Sequence, residues 1–98
     1  MEIGKIYSDV IIDELHVKRT NDSYKVLFSF IDSGKKVTTT LIGVIETYNL
    51  CEIFDANRIW IEGSDNLQAE FGKYRLGISN ESYFEIEFDQ IKNENNKH

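Results

Sequence analysis

Apolar and polar side chains alternate along most of this chain with the two-residue period of β-strands. Successive side chains of a strand point to opposite faces, so an alternating segment buries one face and exposes the other. Turn residues separate such segments at intervals of about 8–12 residues, a spacing typical of all-β domains. The alternating or β-branched segments that predict strands are 9–19, 24–31, 37–42, 58–62, 67–71, 74–78 and 83–91.

These segments predict a mainly β fold. Short turns at Thr20–Ser23 and Asp32–Lys35 join the first three strands, which indicates an antiparallel meander. The full set of about seven strands is typical of an antiparallel β-sandwich or a half-open β-barrel. The stretch near residues 44–55 lacks alternation, and its apolar spacing allows at most one short helix.

Length and composition indicate one cytoplasmic domain. The chain has 98 residues, of which 41% are hydrophobic, so residues 1–91 form a single β-rich domain and residues 92–98 a frayed polar tail. No basic region followed by an apolar stretch marks a signal peptide, and the single cysteine, Cys51, excludes an internal disulfide. Apolar neighbours around Cys51 predict a small buried side chain.

The last strand carries the most distinctive pattern of the chain. From Tyr83 to Asp89, three apolar side chains alternate with the carboxylates of Glu85, Glu87 and Asp89. Side chains two apart on a strand share a face and are about 7 Å apart, so the apolar face needs a core and the acidic face needs water, a cation or a basic partner. The two interpretations are a solvated sheet face and a docking surface for a basic protein.

The acidic excess of the chain is confined to its second part. The net charge is −6, and residues 1–43 contain six basic and six acidic side chains, whereas residues 44–98 contain five basic and eleven acidic ones. A polyanion such as nucleic acid is a poor direct partner for this chain, and so is an anionic membrane. A basic protein is a better partner, unless the acidity serves only solubility.

Candidate catalytic and metal sites are few. A strand would place His16 on the same face as Glu14, the arrangement of an oriented imidazole base, but neither a second histidine in the folded part nor an activated serine accompanies them. Carboxylates two apart on a flat strand diverge too far to converge on Ca²⁺ or Mg²⁺. The sequence therefore predicts no catalytic residue, no metal and no cofactor.

Aromatic side chains add a possible anchor to the acidic strand. Trp60 lies between Ile59 and Ile61, so it belongs either to a second buried face or to an exposed face that binds a partner. Tyrosine and tryptophan dominate the energetics of protein interfaces. The residues predicted to bind a partner are Glu85, Glu87, Asp89, Tyr83, Glu81, Glu70 and Trp60.

The order of these segments resembles a class of small acidic β-rich proteins. Leu41-Ile42-Gly43-Val44, then Asn57-Arg58-Ile59-Trp60-Ile61, then Tyr83-Phe84-Glu85-Ile86-Glu87-Phe88 are similar to segments of the immunity proteins of bacterial contact-dependent inhibition and polymorphic toxin systems. The resemblance implies a protein that binds and blocks a cognate toxin, often a basic nuclease, without doing chemistry. It also implies a monomer before the complex forms.

Three other functions compete with the immunity hypothesis. The first is a generic protein-interaction module without a toxin partner. A small β-barrel can hold an apolar ligand, although at this length side chains fill most of the interior. The idea would need a cavity lined by Phe28, Phe30 and Phe88. An enzyme is the weakest hypothesis, because acid, base and nucleophile do not cluster along the chain.

Overall fold

A computed structural model of the protein describes residues 1–63 and 74–93. The regular elements among these residues are eight strands and one 3-10 turn. The strands are β1 (Tyr7–Ser8), β2 (Ile11–Arg19), β3 (Tyr24–Asp32), β4 (Lys35–Val44), β5 (Arg58–Gly63), β6 (Tyr74–Ser79), β7 (Tyr83–Phe88) and β8 (Gln90–Asn93).

The strands form two four-stranded antiparallel sheets that pack as a β-sandwich, which confirms the predicted fold class. Sheet A has the order β1-β5-β6-β7, and sheet B has the order β2-β3-β4-β8. The predicted meander is confirmed as the β2-β3-β4 part of sheet B, where Asp32 pairs with Lys35 across the second turn. Sequence-adjacent strands therefore dominate both sheets, as antiparallel pairing through short turns favours.

The core lies between the inner faces of the two sheets. Alternation along β3, β5 and β7 places apolar side chains on one buried face, where Phe28, Phe30, Ile86 and Phe88 are at most 1% exposed. The fully buried large side chains are Phe28, Phe30, Phe88, Leu41, Ile53, Ile59, Ile61, Leu76, Ile78, Ile86, Val26 and Val44. Because Phe28, Phe30 and Phe88 belong to this packed set, side chains fill the interior where the ligand-binding hypothesis needed space.

The connection between the sheets contains a single 3-10 turn, Leu50–Ile53, in place of the allowed short helix. Residues three apart eclipse each other in a 3-10 turn. Leu50 and Ile53 therefore both reach the core, whereas Cys51 is exposed. The prediction of a buried Cys51 is wrong, because apolar neighbours in sequence point away from it in this geometry.

The chain changes sheets just before β2, at the start of the predicted strand 9–19, and again within the predicted strand 83–91. The predicted strand 9–19 begins as β2 at Ile11, because Asp9 has a φ of +54° and separates it from β1 in the other sheet. The predicted strand 83–91 is divided at Asp89 into β7 of sheet A and β8 of sheet B. At this crossing the amide of Asp89 donates to the carbonyl of Ile42 at 2.9 Å.

The expected polar tail starts later than the composition indicated. Lys92 and Asn93 belong to β8, where they pair with Thr40 and Thr39 of β4. The Asn93 amide donates to the Met1 carbonyl at 3.0 Å, and its Oδ1 accepts from the Thr39 hydroxyl at 3.0 Å. The predicted strand 67–71 and the remainder of the tail, 94–98, lie outside the described residues.

Candidate functional site

The outer surface of sheet A brings together most of the residues that the sequence singled out. We call it the Trp60 face and define it as the outward residues of β5, β6 and β7. Cross-strand pairing arranges them in three rows, because residues directly opposite each other share a face. The rows are Arg58–Ser79–Tyr83, Trp60–Gly77–Glu85 and Glu62–Arg75–Glu87.

Trp60 lies flat across its neighbouring strand because Gly77 leaves room for it. A Cβ atom at Gly77 would lie 2.3 Å from Cε2 of the indole, so no other residue fits beneath the ring. Beyond Gly77, Trp60 and Tyr83 stack with ring centroids 5.7 Å apart and planes inclined by 18°. Trp60 is half-buried, and Tyr83 remains 49% exposed. The two rings thus form a fixed and accessible aromatic surface.

Carboxylates border this aromatic pair. The indole Nε1 donates a hydrogen bond to Glu62 Oε1 at 3.1 Å, which fixes the orientation of the ring. Burial and the nearby carboxylates of Glu85 and Glu62 raise the pKa of the Tyr83 phenol above its ordinary value. A tyrosine phenol is protonated at neutral pH even without this shift, so Tyr83 carries a hydrogen-bond donor beside the Glu85 carboxylate.

Arginine side chains moderate the charge of the acidic strand. Arg75 stands opposite Glu87, and its Nε is 3.6 Å from Glu85 Oε2. Arg58 lies in the adjoining row, so the Trp60 face holds three carboxylates and two guanidinium groups. The strand therefore does not present an isolated row of negative charge. It presents carboxylates with arginine guanidinium groups beside them, which suits a partner carrying a few basic side chains.

The other residues predicted to bind a partner are placed differently. Glu81 is exposed in the turn between β6 and β7, next to the Tyr83 end of the Trp60 face. Asp89 lies beyond the end of β7, with its carboxylate packed where a side chain on Gly43 would be, so it is not part of the row of Glu85 and Glu87. Gly43 tolerates this approach because it has no Cβ and a φ of +86°. Glu70 lies outside the described residues.

The structure adds residues to this site that the sequence analysis did not select. Asn49 donates from Nδ2 to the carbonyl of Glu85 at 3.3 Å and so holds the 45–57 connection against the free edge of β7. Its neighbour Tyr48 is 86% exposed. Gly77 was detectable in principle, because a glycine inside a strand pattern often marks a close approach of another group.

Sheet B presents a different outer surface. Its outward side chains carry the four lysines Lys18, Lys25, Lys36 and Lys92, against the carboxylates of Asp13 and Glu14. A shallow groove of about 250 Å³ lies there between Lys25 and Lys92, above Leu27, Thr40 and Ile42. Of the two outer surfaces the Trp60 face is the more acidic, and it is the one that a basic partner would approach.

His16 does contact Glu14, as the strand period predicted. Their side chains are 3.1 Å apart on the exposed face of β2. Glu14 also accepts from Lys36 at 2.6 Å, and Lys36 lies 3.7 Å from Asp13. The buried Ser29 hydroxyl donates to Asp13 at 2.5 Å. These contacts describe a surface ion-pair cluster joining β2, β3 and β4, with Glu14 neutralised by Lys36.

The same cluster predicts how stability depends on acidity. The hydrogen bond from Ser29 lowers the pKa of Asp13, and the bond from Lys36 lowers that of Glu14. A carboxylate with a lowered folded-state pKa stabilises the fold above its unfolded pKa, and that contribution is lost as the pH falls through the lower folded value. We expect Asp13→Asn and Ser29→Ala each to flatten the decline of urea stability below about pH 4. An unchanged decline in both variants would contradict this assignment.

The described residues show neither a metal-ligand cluster nor a membrane-spanning helix. No three or more histidine, cysteine or acidic side chains are grouped there as metal ligands would be. Within residues 1–63 and 74–93 no helix has the length and apolar character needed to cross a bilayer. Comparison with protein families, curated proteins and solved structures finds no match to this chain.

Proposed function

We propose that this protein is a cytoplasmic immunity protein that binds a basic protein toxin through the Trp60 face and neutralises it by covering its active or substrate-binding site. The observation that carries the proposal is the Trp60–Tyr83 stack, held across Gly77 and bordered by glutamates on an exposed sheet surface. The resemblance to toxin-immunity proteins supplies the class of partner. The role requires binding only, without catalysis or a cofactor.

The aromatic pair suits a binding role because it is already ordered. Aromatic side chains supply large contact areas, and immobilising a free side chain on binding costs about 0.5–1.5 kcal/mol. Trp60 is held by its hydrogen bond to Glu62 and by its packing directly over Gly77. Little of the entropic cost of immobilising this side chain therefore remains to be paid on binding. Interfaces concentrate their binding energy in such central aromatic anchors.

The surrounding carboxylates suit a basic partner. A guanidinium group of the partner can lie against the face of Tyr83 and donate two hydrogen bonds to the carboxylate of Glu85 or Glu87. Arg75 holds Glu85 at 3.6 Å, which is looser than a direct hydrogen-bonded ion pair, so Glu85 can exchange this internal contact for one to the partner. Opposite charges also speed association at low salt.

A nuclease-type toxin is the partner class that this chemistry fits best. Nucleases bind the phosphates of their substrate with lysine and arginine side chains, and carboxylates on an inhibitor can occupy the same side chains. Glu62 on β5 and Glu85 and Glu87 on β7 flank the central strand β6 within the Trp60 face. Binding there would block the substrate path of the toxin by occlusion.

The double variant Glu85→Lys, Glu87→Lys is expected to abolish protection when the toxin is expressed with the protein. Both side chains are exposed, so the variant should fold, while the reversal replaces attraction by repulsion at the centre of the interface. The measurement is growth of cells that express the product of the neighbouring gene as the candidate toxin, together with capture of that product by the tagged protein at low and moderate salt.

The matched control is Glu2→Lys, Asp22→Lys, which changes the net charge by the same amount at exposed positions away from the Trp60 face. The control is expected to protect and to capture the toxin as the unmodified protein does. Full protection by the Glu85→Lys, Glu87→Lys variant would contradict the proposed interface. Equal loss in both variants would show that net charge alone governs binding.

A further inference from the structure

The edge strand β2 has a sequence that is complementary to itself. β2 is the terminal strand of sheet B, and among the described residues β3 is the strand paired with it. Edge strands expose backbone groups that can pair with another chain. β2 is acidic at its start, with Asp13 and Glu14, and basic at its end, with Lys18 and Arg19. Antiparallel pairing of two such strands brings opposite charges together.

One register of this pairing places opposite charges together on the outer face of the strand and apolar side chains together on its inner face. With His16 opposite His16 of the second copy, Glu14 faces Lys18 on the outer side of the sheet and Leu15 faces Val17 on the inner side. Moving the centre to Leu15 would instead set Glu14 against His16 and Ile12 against Lys18. Moving it to Val17 would set His16 against Lys18 and Leu15 against Arg19. Residues directly opposite each other contribute most to strand pairing, so the His16 register is preferred.

The exposed apolar side chains agree with this register. Val17 is 46% exposed on the inner side of β2, and Leu15 beside it is half-buried. In a pair centred on His16, each Val17 would lie against Leu15 of the second copy, and its exposed apolar surface would be removed from water. The same contact would extend the hydrophobic core across the junction of the two sheets.

We propose that two copies of this chain pair antiparallel through β2, centred on His16, and so join their sheets B into one continuous eight-stranded sheet. The pairing is a two-fold, self-complementary contact, which closes at the dimer and does not continue into a fibre. The register shift between Ile12 and Glu14 ends the regular part of the edge at Asp13, which limits the contact to a short segment. The proposal is independent of the Trp60 face, and it replaces the expected monomer at high concentration.

Exchange of the two charges tests the pairing. In the dimer, residue 14 of each copy faces residue 18 of the other copy, so there are two such pairs. Glu14→Lys makes both pairs Lys–Lys, and Lys18→Glu makes both pairs Glu–Glu. Each variant alone is expected to dimerise at least about tenfold more weakly than the unmodified protein at low salt. A mixture of the two variants is expected to form heterodimers, because every charged pair is then attractive. The double variant Glu14→Lys, Lys18→Glu is expected to dimerise again.

Sedimentation velocity over a concentration series at low salt is the measurement, with circular dichroism to establish that each variant is folded. The controls are Lys35→Glu and Glu46→Lys, exposed charge reversals outside β2 that should leave self-association unchanged. Monomeric unmodified protein at the highest concentration would overturn the proposal. Undiminished dimerisation of both single variants, or failure of their mixture to associate, would overturn it equally.

Discussion

Replacing Gly77 by alanine is expected to remove binding through the Trp60 face while leaving every charge in place. The new Cβ would lie 2.3 Å from Cε2 and 2.5 Å from Cζ2 of Trp60, so the indole must leave its seat and the stack with Tyr83 is lost. Overpacking of this kind costs about 1–3 kcal/mol of stability. Loss of a central aromatic anchor should weaken partner binding by at least about tenfold.

The result can be followed directly, because Trp60 is the single tryptophan of the chain. Its fluorescence should shift to the red and become more accessible to acrylamide in the Gly77→Ala variant. Gly63→Ala on β5 is the matched control, since a Cβ at Gly63 meets no atom of residues 1–63 and 74–93 within 4 Å. Unchanged fluorescence and unchanged partner affinity in Gly77→Ala would show that the packing of Trp60 over Gly77 does not determine the binding surface.

Replacing Phe88 by alanine is expected to have the largest effect on stability. Phe88 is fully buried on the inner face of β7, the strand that carries Glu85 and Glu87. Its ring stacks on Tyr74 with centroids 5.5 Å apart. Truncating a buried phenylalanine leaves a cavity and costs about 3–5 kcal/mol. Small domains have a total stability of about 5–15 kcal/mol, so urea unfolding should begin at a much lower denaturant concentration.

Tyr48→Ala is the control for this substitution. Tyr48 is an aromatic residue of similar size, but it is 86% exposed, so its truncation should change the free energy of unfolding by no more than about 0.5 kcal/mol. Equal losses in the two variants would contradict the assignment of Phe88 to the core. A weaker partner complex for Tyr48→Ala with unchanged stability would extend the interface to the 45–57 connection.

Local alternation was sufficient to predict most of the sandwich. In β3 and β7 the apolar side chains recur with period two, and the same side chains are buried in the structure. The meander was predictable because short turns leave antiparallel pairing as the only simple connection between its strands. These features depend on neighbouring residues, which the sequence displays directly.

The crossings between sheets were not predictable in this way. Alternation holds as far as Asp89 and then changes phase at Gln90 and Ile91, but this break does not show that the chain leaves sheet A and joins sheet B. The cause is a long-range contact, since Asp89 packs into the space that Gly43 leaves open. A periodic pattern shows which side of a strand is apolar, but it does not show which sheet the strand joins.

The candidate site illustrates the same division. The outward positions of Glu85 and Glu87 followed from period two alone, and so did the separation of Trp60 from Ile59 and Ile61. The seat over Gly77 and the position of Arg75 beside the glutamates depend on the register of β5, β6 and β7. Two arginines change the electrostatics of the face, and their positions become known only when the strands are paired.

Site-specific photo-crosslinking from the Trp60 face would test the central claim most directly. A photoreactive phenylalanine derivative would replace Glu87, which is exposed in the row Glu62–Arg75–Glu87. In a parallel sample it would replace Asp22 in the turn before β3. Our account predicts that irradiation of the host cells links position 87, and not position 22, to one basic protein. A partner linked from position 22 but not from position 87 would contradict the proposed interface.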